Sequence, residues 1–102
     1  MLLREKDRQT LLQIFSSVNE PIEVLAYGSR VTGSAHDGSD LDLAVRGAGG
    51  TAISSNILTV LINKIKESNI PILIELRNWH SIPKNFQKNI ENQYDVLYRT
   101  NH

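Results

Sequence analysis

Cysteine is absent from this 102-residue chain. That excludes disulfides and thiolate metal sites, and with them a disulfide-stapled secreted scaffold. No apolar run approaches the ~18 residues needed to span a bilayer, so no membrane segment is expected. The first residues, Met1-Leu-Leu-Arg-Glu-Lys-Asp-Arg, turn charged at once and do not read as a signal peptide. A cytoplasmic location is therefore the expectation. Net charge is also missing: 11 Lys and Arg balance 11 Asp and Glu. A chain that bound nucleic acid mainly through a basic field would not be neutral, although a nucleotide needs only a local site. There is no G-x-x-x-x-G-K-[ST], which excludes a P-loop. His36, His80 and His102 show no metal-ligand spacing and read as surface histidines. Ser34, His36 and Asp37 lie too close in sequence for a hydrolase triad.

What remains is the composition of an ordinary small globular domain, 40% hydrophobic and 22% charged. The length fits one domain over residues 1–102, with a modest core and little margin. Leu3, Leu11, Ile14, Phe15 and Val18 form one stripe of a helix over 3–18, which Asn19-Glu-Pro21 stops. Ile22 to Tyr27 reads as a strand. Gly28 to Ser39 reads as a loop or short helix with irregular ends, and Leu41 to Val45 as a second strand. Gly47 to Gly50 is a flexible connection. A helix over Ala52 to Ser68 has Ile53, Ile57, Leu58, Leu61, Ile62 and Ile65 on its apolar face, with Thr51 or Ser54 able to cap it. Ile70 to Leu76 reads as an apolar third strand with a proline near its start. A short helix around Pro83 to Glu91 follows, and Asp95 to Arg99 forms a terminal strand or an extended tail. The fold class is α/β (α+β), a small mixed sheet with flanking helices.

The chemistry concentrates in Asp40-Leu-Asp-Leu43. Strand residues two apart share a face and lie ~6.5 Å apart, so Asp40 and Asp42 project together. Converging carboxylates repel unless a cation lies between them, and hard oxygen ligands suit Mg²⁺ or Mn²⁺ beside a phosphate. Upstream, the first strand ends at Tyr27 and runs into Gly28-Ser29. Glycine lets backbone approach a phosphate, and a serine hydroxyl with nearby N–H groups donates to it. Gly33 allows a second bend. A third carboxylate is sought in Glu75, an acid inside an apolar strand, where an unpaired buried charge is costly. Two readings stay open for it: a third metal ligand, or a Glu paired with Arg77 or Arg46 or turned to solvent. Arg30 is read as a phosphate contact, against a salt bridge to Asp37 or Asp40. Ser39 is read as a local hydrogen-bonding or orienting residue. Trp79, Phe86, Tyr94 and Tyr98 are read as packing residues.

Gly28-Ser29-x10-Asp40-x-Asp42 resembles the signature of the DNA polymerase β-like nucleotidyltransferase superfamily. Gly28-Ser-Arg-Val-Thr-Gly33 followed by Ser39-Asp-Leu-Asp-Leu43 is similar to its short branch, the minimal nucleotidyltransferases, MntA-like antitoxins paired with HEPN-domain toxins. The resemblance covers nearly the whole chain. It implies that Asp40 and Asp42 hold two divalent ions, Mg²⁺ or Mn²⁺, against the triphosphate of ATP. It implies that Gly28 and Ser29 hold the β- and γ-phosphates. By position, Glu75 would complete one metal site and help to deprotonate the attacking hydroxyl. The family usually has Asp there; the extra methylene shifts the carboxylate by roughly an ångström, enough to cost ~10²-fold in rate. The implied reaction transfers AMP to a hydroxyl, a tyrosine of a HEPN toxin partner, because so short a chain leaves little from which to build an acceptor pocket. The alternatives are an inactive or weak antitoxin that neutralises by binding, and a nucleotidyltransferase acting on a small molecule with a partner subunit.

Overall fold

In a computed structural model, which describes residues 1–36 and 38–100, four strands form one mixed sheet in the order β3-β2-β1-β4. Asp37 and His102 lie outside the described residues. Helix α1 spans Glu5–Ser16, β1 Ile22–Tyr27, the four-residue α2 Ser29–Thr32 and β2 Leu41–Gly47. Then come α3 (Ser55–Glu67), β3 (Ile74–Asn78), α4 (Lys84–Asn92) and β4 (Asp95–Arg99). Strand β1 is antiparallel to both β2 and β4, whereas β2 and β3 run parallel and are joined through α3.

Alternation along the strands divides the side chains between two faces. Ile22, Val24 and Ala26 of β1, with Leu41, Leu43 and Val45 of β2 and Leu76 of β3, meet Leu11 and Phe15 of α1 and Leu61 of α3. This is the main core, and the apolar stripes read for both long helices supply it. The opposite face carries a smaller cluster of Leu25, Tyr27, Ala44, Trp79, Ile82 and Ile90 under α4. Both faces of the two central strands are thus covered, which is why all six residues of β1 are buried.

The helix ends follow local chemistry. The Ser54 hydroxyl accepts from the Ile57 N–H and starts α3, so Ser54 rather than Thr51 is the cap. In α1 the first-turn Asp7 is buried and takes two hydrogen bonds from Arg4, at 2.9 and 3.0 Å. The third strand differs most from the reading above: it runs Ile74–Asn78 rather than 70–76. Pro71 lies in the extended approach, where Ile70 and Ile72 pack on the core outside the ladder. Proline has no N–H to donate, and pairing with β2 is set by the register Leu41↔Ile74 through Val45↔Asn78. The terminal segment is a true strand on the free side of β1, and Gly47–Gly50 tightens into a 3-10 turn over Ala48–Gly50.

Candidate active site

One end of the α4 face of the sheet collects the acids. The register places Tyr27 of β1, Asp42 of β2 and Glu75 of β3 side by side in a row across three strands. Adjacent strands are ~4.8 Å apart, so the Asp42 and Glu75 carboxylates are neighbours by construction. Asp40 lies two residues upstream of Asp42, on the loop entering β2, and is exposed. Burial pushes the Asp42 carboxyl above its ordinary value, and the charges of Glu75 and Asp40 push it further, while Arg77 opposes them. Asp42 is thus within electrostatic reach of both other sequence-selected acids.

Gly28 fixes the other wall. It adopts φ +81 and ψ −159, and a Cβ at this position would stand 2.5 Å from Oδ2 of Asp42. Only glycine fits both this backbone conformation and this contact. The strand-to-helix turn at Gly28-Ser29 is thus seated directly on the Asp42 carboxylate. The carbonyl of Ser29 accepts from the N–H groups of Gly33 and Ala35, each at 3.1 Å, which folds the loop back over α2. Gly33, at φ +90, ends that short helix.

The remaining selected residues are placed less centrally. Arg30 is buried, donating through Nε to the Ser39 carbonyl at 2.9 Å and through a terminal nitrogen to the Leu2 carbonyl at 2.7 Å. It ties the loop to the N-terminal segment. Ser39 holds the same loop, its hydroxyl accepting from the His36 N–H at 3.0 Å. His36 and His80 are exposed, as read.

Glu75 adopts the pairing with Arg77 that one of its two open readings allowed. Its side chain is not buried but 46% exposed, and it accepts from Arg77 at 2.9 Å. Among the described residues, no three acids or histidines are drawn together closely enough to hold an ion. The donor set nevertheless suits a hard divalent ion: Asp42 and Glu75 in register, Asp40 beside them, and an elevated Asp42 that a cation would relieve.

Two features, Tyr27 and the Glu23 clasp, were not found from the sequence, while Arg77 was named there as a partner for Glu75. Tyr27 is buried against the acids, and its hydroxyl meets no hydrogen-bond partner among the described residues. Burial pushes its phenol above the usual value. Arg77 is the local cation. Further along the same face, buried Glu23 is clasped by Arg46 and Arg99, and Arg46 also lies 5.1 Å from the centre of the Trp79 ring. The signal for Glu23 was present: an acid in the apolar run Ile22–Tyr27 raises the same question that singled out Glu75.

A family model described as "Polymerase beta, Nucleotidyltransferase" matches residues 9–102. Among solved structures, a chain of a toxin–antitoxin crystal structure with AMP-PNP superposes with a TM-score of 0.70 and 19% identity, covering 92% of this chain and 74% of that one. A candidate nucleotidyltransferase from Sulfolobus solfataricus superposes with a TM-score of 0.55 and 14% identity, covering 91% of this chain and 77% of the other. At these identities the likeness is one of fold. No sequence among the curated proteins matches the chain.

Proposed function

The chain belongs to the polymerase β nucleotidyltransferase family, and from that premise we propose that it transfers AMP from ATP to a hydroxyl group on a partner toxin. The single observation that carries the reading is the seat of Gly28 on Asp42, with Glu75 in the neighbouring register position. It joins a backbone turn suited to phosphate with two carboxylates on adjacent strands, a donor type suited to a divalent ion.

In this reading Asp40, Asp42 and Glu75 would hold Mg²⁺, or Mn²⁺ in its place, which when bound neutralises phosphate charge and favours in-line displacement. The chain's own residues do the rest. Gly28 lets the backbone approach the β- and γ-phosphates, and the Ser29 hydroxyl and N–H at the start of α2 donate to them. A carboxylate of the cluster accepts the proton of the attacking hydroxyl. The oxygen then bonds to the α-phosphorus, the α–β bridging bond breaks, and pyrophosphate leaves.

The acceptor is proposed to arrive on another chain, a HEPN-type toxin presenting a tyrosine. Two observations support this. The structural neighbour solved with AMP-PNP is a toxin–antitoxin. In addition, an apolar cavity of about 470 Å³ runs along the open edge of β3, lined by Ile62, Ile70 and the 65%-exposed Leu73, and reaches Glu75 and Arg77. A partner seated there would abut Glu75. Among the described residues, no helix is long and apolar enough to cross a membrane.

A second reading draws on the Glu75–Arg77 pair. If Glu75 stays with Arg77, the chain neutralises its partner by binding alone. Incubation with α-labelled ATP, Mg²⁺ and the neighbouring gene's product separates the two. Label on the partner, lost in Asp40→Asn and Asp42→Asn, is the expected result. A stable complex that carries no label would overturn the transfer reading in favour of binding.

A further inference from the structure

Helix α4 presents an unusual stripe to the end of the sheet. Phe86, Asn89 and Ile90 recur at spacings of three and four and share one side of the helix, and Gln93, the extended residue that ends it, lines the same cavity. Ile90 is buried beneath it with Leu25 and Tyr27. Phe86 stands edge-on to Tyr27, ring centres 5.9 Å apart at 77°, yet stays 42% exposed. Between this stripe and the Tyr27-Gly28 turn lies a cavity of about 280 Å³. Its walls combine an uncovered aromatic face with carboxamides. Among the described residues, the side chains of Asn89 and Gln93 make no hydrogen bond. Each offers both donors and an acceptor.

Two facts define the occupant. Drug-sized ligands fill roughly 300–1,000 Å³, so a space this small takes part of a nucleotide, a single flat ring system. Gly28 is also shared: it lines the cavity, and a Cβ added to it would meet the Asp42 carboxylate. Whatever occupies the cavity lies immediately beside the acids. We propose that this cleft seats the base of the nucleotide, stacked on Phe86, with Asn89 and Gln93 facing its hydrogen-bonding edge. The assignment rests on the nucleotidyltransferase reading above for the phosphate end, and adds the base end. Stacking would favour any base, since each has a π-face, and the carboxamides would supply whatever discrimination exists.

Calorimetric titration of the whole chain with Mg²⁺-ATP and with Mg²⁺-tripolyphosphate tests the two ends separately. The expected result is that ATP binds more tightly than tripolyphosphate. Phe86→Ala should then weaken ATP binding by about tenfold while leaving tripolyphosphate unchanged. Phe86→Leu, which keeps apolar bulk, should lose most of the same advantage, and saturation-transfer NMR should be strongest on the base protons. ATP binding no tighter than tripolyphosphate, or Phe86 variants that weaken both ligands equally, overturns the base site and leaves the phosphate site standing. If neither ligand binds, the nucleotide reading itself fails, and the base site with it.

Discussion

Replacing Gly28 by alanine strains the molecule in two separable ways. The first is conformational: φ +81 with ψ −159 is a region essentially reserved for glycine, and holding another residue there costs about 1–3 kcal/mol. The second is steric, because the new Cβ would stand 2.5 Å from Oδ2 of Asp42. That carboxylate must rotate away, and it is held between Tyr27 and Glu75 in the register. Gly33→Ala supplies the control. Its φ is +90 with ψ 3, in the left-handed helical region, and nothing stands within 4 Å of the Cβ it would gain. Only backbone strain of about 1 kcal/mol is expected there. For a domain of this size, 1 kcal/mol shifts Tm by roughly 4–8 °C. Gly33→Ala should therefore lower Tm by about 5 °C, and Gly28→Ala by about 10–20 °C. Mn²⁺ affinity, measured by paramagnetic relaxation, should fall in Gly28→Ala and hold in Gly33→Ala, because only the first displaces Asp42. Equal Tm losses with equal Mn²⁺ binding would refute the claim that Gly28 is seated on the acid.

Three further outcomes follow from the charged face. Asp42→Asn should raise the thermal midpoint by a few degrees in chelator at pH 7 while abolishing label transfer. A carboxyl whose folded value is raised binds more protons folded than unfolded, so stability falls as pH rises through the acid range, and an amide escapes that loss; a midpoint below that of the parent protein would contradict it. Glu23→Gln should cost about 1–2 kcal/mol in denaturant unfolding, since it takes the charge-assisted hydrogen bonds of half-buried Arg46 and exposed Arg99 from a buried carboxylate. Burial alone would raise the Glu23 carboxyl, but the two guanidiniums hold it below its usual range. Its stabilisation is therefore present above the unfolded value and lost as pH falls below it, and Glu23→Gln should flatten that acid limb. Glu75→Ala should reduce transfer about 100-fold, whereas Glu75→Asp, which places the usual residue of the family there, should hold or raise it, measured as initial rates of label incorporation; an unaffected Glu75→Ala would leave Glu75 as no more than the partner of Arg77.

Much of the order of elements was written in local pattern. The helical stripes ending in Phe15 and Leu61, the strand Ile22–Tyr27 and the spacing of Gly28-Ser29 to Asp40-x-Asp42 are periodicities and turn chemistry, which act over a few residues. The motif's resemblance to a known signature pointed to a nucleotidyltransferase family, and residue chemistry singled out Asp40, Asp42 and Glu75 as candidates. The start of β3 escaped, because an apolar run such as Ile70–Ile74 does not reveal which of its residues will find a ladder partner; pairing with β2 decided that. Arg30 was read as a phosphate contact, whereas folding gave its donors two main-chain carbonyls, one from Leu2, 28 positions away. The exposure of Glu75, its pairing with Arg77, the clasp on Glu23 and the cavity under α4 all depend on which side chains the sheet register sets side by side. Sequence by itself determined which residue types were available and the period at which they recur. Only the tertiary structure decided their neighbours, because contact between β1, β2, β3 and α4 is made across separations that no local pattern encodes.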